Sequence, residues 1–352
     1  MRSTRARLTA LTLAAMLMLA AMPAAADEAA PAQAPEVERI AGDGRVATAI
    51  EIAKTTFDQS DIVVMAYAHE YPDALVAAPL ANALDAPLIL NDRDRMFPGV
   101  SEELERLDPE QVVLVGGTNQ LGPEVVEGIE DLGIDVDRVS GSTRFGTAAA
   151  IALELPEYTG EQPERVFITE GIDEDPLRGW PDALAVAPYA AHTASPTLLV
   201  DTGLIPDETM SALETIDPDE IVIVGGEGAV GPDVERELAD TGADVRRISG
   251  PTRFETGAAV YDEALEAGLS PGTTWLATGG NYPDALAAGA TVSARGDALM
   301  LVDAHDVDNS PPTRDRLSGT ASAGELDAVW VLGGTAAVDD HVLDQIRAIT
   351  SD

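Results

Sequence analysis

Tyr71-Pro72-Asp73-Ala74-Leu75 decides the fold, because the chain writes it three times. It returns as Trp180-Pro181-Asp182-Ala183-Leu184 and as Tyr282-Pro283-Asp284-Ala285-Leu286, with the aspartates 109 and 102 residues apart. Two further markers travel with it. Val113-Leu114-Val115-Gly116-Gly117 recurs as Val222-Ile223-Val224-Gly225-Gly226 and as Trp330-Val331-Leu332-Gly333-Gly334. Ser140-Gly141-Ser142-Thr143-Arg144 recurs as Ser249-Gly250-Pro251-Thr252-Arg253, and more loosely as Ala41-Gly42-Asp43-Gly44-Arg45. Three markers in one order, three times, mean tandem copies of one unit. A period of about 100 residues is the size of a domain, so these are modules and not solenoid turns. The expected modules are 37–137, 138–246 and 247–352, preceded by a disordered spacer at 27–36.

Strand and helix patterns alternate within each module. In the first, Arg45 to Phe57 places Ile50, Ala53 and Phe57 at helical spacing. Asp61 to Ala66 reads as a buried strand, and Pro72 to Leu84 as a helix with Pro in its first turn. Pro87 to Leu90 is a second strand, Val100 to Leu107 a helix and Gln111 to Val115 a third strand. Pro123 to Leu132 is a helix stopped by Gly133, and Asp135 to Val139 a short last strand. Short apolar strands between helices predict a parallel sheet covered on both faces. With right-handed crossovers, each module is an α/β, Rossmann-like three-layer sandwich. Ile40, Val139 and Ile248 stand at the joins with no Ser/Gly linker, so the modules are expected to pack as one unit.

Arg2, Arg5 and Arg7, the apolar stretch Leu8 to Met22 and the small residues to Ala26 read as a secretory signal at 1–26. A membrane anchor is the alternative, disfavoured by the short apolar stretch. No later apolar run is long enough to span a membrane. With no Cys, disulfides and a lipid-modified Cys are excluded. Aromatics are 4% of residues, so the cores must be aliphatic. The net charge is −41, or about −44 without the three leader arginines, and Lys54 is the one lysine. Such a surface repels nucleic acid and anionic membranes. It fits a salt-adapted source; calcium binding is the functional alternative, but no EF-hand spacing of acids supports it.

Together the repeated markers resemble the cell wall-binding repeat 2 family over essentially the whole chain after the leader. The resemblance implies three modules in a triangular, pseudo-threefold arrangement that hold anionic wall polysaccharide non-covalently. It implies a place at the cell wall or surface, which with the leader gives a secreted protein; no catalytic residue and no cofactor is expected. It also implicates a short aliphatic strand in anchoring, here Leu88-Ile89-Leu90, Leu198-Leu199-Val200 and Leu299-Met300-Leu301. The third copy departs from the pattern. Gly289-Ala290 stands where the others have Pro79 or Pro188, and Asp303 to Thr313 reads as an irregular loop. That module is expected to bind differently or to cap the array.

Each marker follows a strand and opens a helix, so all should meet at the carboxyl edge of a sheet, where ligands of open parallel sheets sit. The candidate ligand-binding residues are Arg45, Arg144 and Arg253; Asp73, Asp182 and Asp284; Gly116, Gly117, Gly225, Gly226, Gly333 and Gly334; and the three aliphatic strands. Arg forks onto phosphate or carboxylate, and Gly-Gly exposes backbone N–H groups. The architectural alternative is equally specific. The aspartates favour a helix dipole or pair with arginines across module joins, and the glycines permit tight turns. On apolar character alone the aliphatic strands are core. His69, His192, His305 and His341 do not recur at equivalent positions, and neither a metal spacing nor a nucleophile elbow is present. The expected partner is a cell-wall glycopolymer. The alternatives are a soluble carbohydrate-binding or adhesion protein, and a wall hydrolase or regulator of a wall amidase. Because protein and polymer are both acidic, attraction must come from local Arg contacts or from divalent-cation bridging.

Overall fold

The computed structural model describes residues 34–70, 72–172, 179–280 and 285–351. The expected leader lies outside them, as does the expected spacer up to residue 33. Strand β1 spans Glu36–Ile40, beginning on the spacer's last residue, and helix α1 spans Arg45–Lys54. Then follow β2 Ile62–Tyr67, α2 Pro72–Val76, α3 Ala78–Ala83, β3 Leu88–Asn91, α4 Pro98–Leu107, β4 Gln111–Val115, α5 Pro123–Glu130 and β5 Asp135–Val139. The second round is α6 Arg144–Thr159, β6 Arg165–Ile172, α7 Pro181–His192, β7 Thr197–Asp201, α8 Asp207–Ile216, β8 Glu220–Val224, α9 Pro232–Ala239 and β9 Asp244–Ile248. The third is α10 Arg253–Glu266, β10 Ser270–Thr278, α11 Ala288–Arg295, β11 Asp297–Val302, α12 Pro311–Ser322, β12 Ala328–Leu332 and α13 Asp340–Ser351.

Local chemistry explains the boundaries. The hydroxyl of Thr143 accepts from the Gly146 N–H at 3.0 Å, capping α6, and Thr252 forms a capping box with Glu255 at the head of α10. The looser first copy puts Gly44 at the N-cap of α1, where no side chain caps. The helix expected over Pro72 to Leu84 is two, α2 and α3, with Ala77 between them. Pro79 has no N–H to carry the ladder through this point, although α7 stays continuous around Pro188. Part of the irregular loop expected at Asp303 to Thr313 is helix. Pro311 and Pro312 start α12, where a missing N–H costs nothing.

The strands form three four-stranded parallel sheets, ordered β3-β2-β4-β5, β7-β6-β8-β9 and β11-β10-β12-β1. The Rossmann-like α/β modules are thus as expected, with one addition. The N-terminal strand β1 completes the third sheet, pairing Glu36 with Ala328 through to Ile40 with Leu332. The three sheets therefore close a ring. At each join the chain finishes one sheet and then lays an arginine-led helix on the next: β5 pairs with β4, while the following α6 packs on β7. The joins expected at 137/138 and 246/247 fall inside β5 and β9.

At the ring's centre α3, α7 and α11 touch one another pairwise. Ala78, Ala187 and Gly289 occupy one equivalent position on them. A Cβ added to Gly289 would lie 2.7 Å from the Ala187 Cβ and 3.0 Å from the Ala78 Cβ. Two methyl groups fit there, and a third does not. One turn on, Asn82 Nδ2 donates to the Ala191 carbonyl at 3.1 Å, and Ser293 Oγ donates to Asn82 Oδ1 at 3.0 Å. The departure noted at Gly289 is thus a packing requirement of the threefold centre. The core around it is aliphatic, with Trp180, Trp275 and Phe167 its largest fully buried side chains.

Candidate functional site at the module joins

The site begins with the threonine three residues beyond each repeated arginine. Thr48, Thr147 and Thr256 are buried, and their hydroxyls accept from the Gly42, Gly141 and Gly250 N–H groups at 3.1, 3.2 and 3.0 Å. Each contact folds the Gly-bearing loop back onto the helix head. The arginine then faces the end of the sheet its helix covers. Arg45 Nη1 donates to the Ala68 carbonyl at 3.0 Å and Arg144 Nη1 to the Gly171 carbonyl at 2.9 Å. Arg253 Nη1 makes the matching bond to the Gly279 carbonyl, and its guanidinium lies 5.5 Å from the ring centroid of Trp180.

Asp73 enters from the preceding module. It is 9% exposed and hydrogen-bonded to the Thr147 side chain. Burial pushes its carboxyl up to about 6; the Thr147 hydrogen bond and the Arg144 charge pull it down, and Glu70 pushes it up again. Gly116 makes room for it. The residue has φ +102°, and a Cβ there would stand 2.5 Å from Asp73 Oδ2. Gly225 and Asp182 repeat the arrangement at φ +119°. The N–H of the first glycine in each pair is already committed, Gly116 to Val139, Gly225 to Ile248 and Gly333 to Ile40, at 3.0, 2.9 and 2.9 Å. The expected Arg, Asp and Gly-pair markers do converge, but the arginine comes from the following copy. Asp284 lies outside the described residues.

Two crevices result. The first, of about 90 Å³, is lined by Glu70, Pro72, Asp73, Gln120, Gly141, Ser142, Thr143, Arg144 and Thr147. The second, of about 260 Å³, is lined by Glu170, Gly179, Pro181, Asp182, Gly226, Gly228, Ala229, Gly250, Pro251, Thr252, Arg253 and Thr256. Both offer carboxylates and hydroxyls as acceptors and a guanidinium as donor. A roomier cavity of about 530 Å³ is framed by the C-terminal ends of α8 and α9, and none of the repeated markers lines it. Among the described residues no group of three His, Asp or Glu is placed to hold a metal ion, and no helix is long and apolar enough to cross a membrane.

The aliphatic triplets are elsewhere. Leu88-Ile89-Leu90, Leu198-Leu199-Val200 and Leu299-Met300-Leu301 form β3, β7 and β11, and each side chain is at most 3% exposed. They are core, as their apolar character demands, and offer no side-chain surface to a ligand.

A second set of arginines escaped the sequence reading. Arg39, Arg138 and Arg247 each end a strand one residue early. Their Nη1 atoms donate to the Gly333, Gly116 and Gly225 carbonyls at 2.6, 2.6 and 2.7 Å. Their Nη2 atoms donate to Val338, Leu121 and Val230 at 2.8, 2.9 and 3.0 Å. These forks hold the Gly-Gly turn that floors each join. The signal was an Arg followed by Ile or Val six residues before each repeated arginine's own position.

The sequence profile of the family described as Cell wall binding domain 2 matches residues 39–126, 138–235 and 247–343. The N-acetylmuramoyl-L-alanine amidase LytC of Bacillus subtilis is 27% identical over 88% of this chain and 58% of its own length. The amidase enhancer of the same organism is 26% identical over 75% of this chain and 34% of its own length. The chain therefore spans only about a third to three-fifths of these relatives. Among solved structures, Cwp6 from Clostridium difficile superposes with a TM-score of 0.78 at 23% identity, covering 95% of this chain and 50% of that one. Cwp8 from the same organism gives 0.75 at 24% identity, covering 90% and 52%. At these identities the structural likeness establishes the fold.

Proposed function

Because this chain belongs to the cell wall binding domain 2 family, we propose that it acts at the cell surface by holding a wall glycopolymer in the crevices between its modules, without catalysing a reaction. The observation that carries this reading is the recurrence of one lining at two successive joins: Asp73, Gly141, Thr143, Arg144 and Thr147 at the first, and Asp182, Gly250, Thr252, Arg253 and Thr256 at the second. Ser142, Thr143 and Thr252 add hydroxyls to the carboxylates and guanidinium, a set that matches the alternating donors and acceptors of a sugar ring. A polymer bearing phosphate or carboxylate groups meets Arg144 and Arg253, whose planar forks suit either.

The test is sedimentation with walls isolated from the producing organism. Retention without release of sugar or peptide supports the reading. A protein that stays in the supernatant is instead a soluble carbohydrate-binding or adhesion protein. A second reading has the chain act on a wall amidase, and the match to an amidase and to an amidase enhancer favours it. Faster release of free amines when the chain is added to walls with an amidase would support that role.

How an acidic protein holds an acidic polymer is a separate question. Contact through Arg predicts that the triple variant Arg45→Gln, Arg144→Gln, Arg253→Gln leaves the walls while chelator releases little wild-type protein. Divalent-cation bridging predicts the reverse. Each arginine also holds a backbone carbonyl, so thermal unfolding of the variant must accompany the binding assay. A folded triple variant that still sediments would sink the Arg reading.

A further inference from the structure

The two described joins share their backbone and differ in what stands over it. The turn after each Gly pair closes identically: Gln120 N–H donates to the Gly117 carbonyl at 3.0 Å, and Ala229 N–H to the Gly226 carbonyl at 2.9 Å. The residue closing the turn is Gln120 at the first join and Ala229 at the second. Gln120 lies back across the turn. Its Oε1 is 3.4 Å from the point where a Cβ on Gly117 would stand; its Cβ stands over Gly116 at 3.4 Å much as the Ala229 Cβ stands over Gly225 at 3.2 Å, so the amide is the difference. At Gly226 nothing comes within 4 Å of the same point, and Gly226 itself lines the crevice. The volumes differ in the same sense, about 90 Å³ at the first join against 260 Å³ at the second, with Glu70 on the first rim and Gly179 on the second adding to the difference. Small-ligand sites start at about 300 Å³, so the second crevice approaches a size that seats a sugar ring and the first does not.

We propose that the joins are functionally unequal: Gln120 plugs the crevice between the first and second modules, while Ala229 leaves the crevice between the second and third open to one saccharide unit. The claim rests on the reading that these crevices receive the wall glycopolymer. It adds the residue that decides which crevice is used. In the open crevice Arg253, Asp182 and Glu170 line the space while keeping bonds within the protein, Arg253 donating to the Gly279 carbonyl and Glu170 Oε1 accepting from Thr202 Oγ1 at 2.6 Å, and the bare Gly226 lets the sugar approach the backbone. In the plugged crevice the amide of Gln120 occupies that place, so the polar groups of Asp73 and Arg144 serve the join between modules.

The test exchanges the two side chains. Ala229→Gln and Gln120→Ala each install a residue that the same turn already carries at the other join, so both variants should unfold at the wild-type temperature. The probe is an oligosaccharide of two to four repeat units released from the producing organism's walls, titrated calorimetrically. The expected result is one site per chain fewer in Ala229→Gln and one more in Gln120→Ala. If neither exchange alters the site count while Arg253→Gln weakens binding at least tenfold, the crevices bind but the plug is wrong. If Arg144→Gln, Arg253→Gln and both exchanges bind as the wild type does, the crevices are not the site and the reading beneath the proposal fails with it.

Discussion

Asp73 is the residue whose ionisation the join controls. Its carboxyl stands over the bare Cα of Gly116, and burial raises its pKa to about 6 from the usual value near 3.9 of an unfolded chain. The unfolded state thus gives up this proton first as pH rises. The residue's contribution is most favourable below about pH 4, declines as pH climbs towards 6, and is level above that. Asp73→Asn keeps an acceptor for Thr147 and removes the charge. The variant should lose that slope between pH 4 and 6 and gain up to about 3 kcal/mol at pH 7.5. Unfolding in denaturant across this range is the measurement; a slope equal to the wild type's would refute the assignment. A methyl group at Gly116 should do the opposite, since it meets Asp73 Oδ2 and forces a left-handed backbone on Ala. Arg138 acts on the same turn from the other side, through its fork onto Gly116 and Leu121. Its repetition stood open in the sequence, yet a fork onto two carbonyls leaves no partner residue to notice, because the acceptors are backbone.

Helices α3, α7 and α11 set the tolerance of the ring centre. Gly289→Ala adds a third methyl where Ala78 and Ala187 already meet, and overpacking of this kind costs about 1–3 kcal/mol. Gly319 is the control: it is exposed in the middle of α12 with open space around it, so Gly319→Ala should stabilise by about 0.5–1 kcal/mol. Equal effects at both sites would mean that the centre can give way. Strand β1 sets the closure. A chain beginning at Ala41 lacks β1, and with it the Arg39 fork onto Gly333 and Val338. Amide exchange should then rise in β12 and α13 and stay slow in β4 and β8; uniform protection would show that closure contributes nothing. The alternation of strands and helices was legible because buried strands and amphipathic helices differ in period. The assignment of β1 to the last sheet was not. An isolated strand looks the same whichever edge it joins, and its partner lies almost 300 residues away. The convergence of the markers was legible for a related reason, since every parallel strand ends at the same edge. The difference between Gln120 and Ala229 was hidden because repeats are recognised by what they share.

Charge belongs to the whole molecule. The sequence carries a net charge of −41, and many of the arginines already sit in ion pairs such as Arg106 with Glu103, Arg246 with Glu263 and Arg316 with Asp262. Salt acts on both populations in opposite senses. It weakens the exposed pairs, worth about 0–1 kcal/mol each. It also relieves the repulsion among the carboxylates, which number 62 against 21 Lys and Arg. The screening length falls from about 30 Å at 0.01 M to about 3 Å at 1 M, so repulsion summed over the whole surface fades while contacts under 3 Å between half-buried partners persist. Relief should therefore win. The thermal midpoint is expected to rise by several degrees between dilute buffer and molar sodium chloride, and to rise equally in potassium chloride if screening is the cause. A larger rise at a few millimolar calcium would point to bound cations in place of screening. A midpoint that stays level or falls with salt would mean that the ion pairs outweigh the repulsion, and that the acidity serves something other than tolerance of salt.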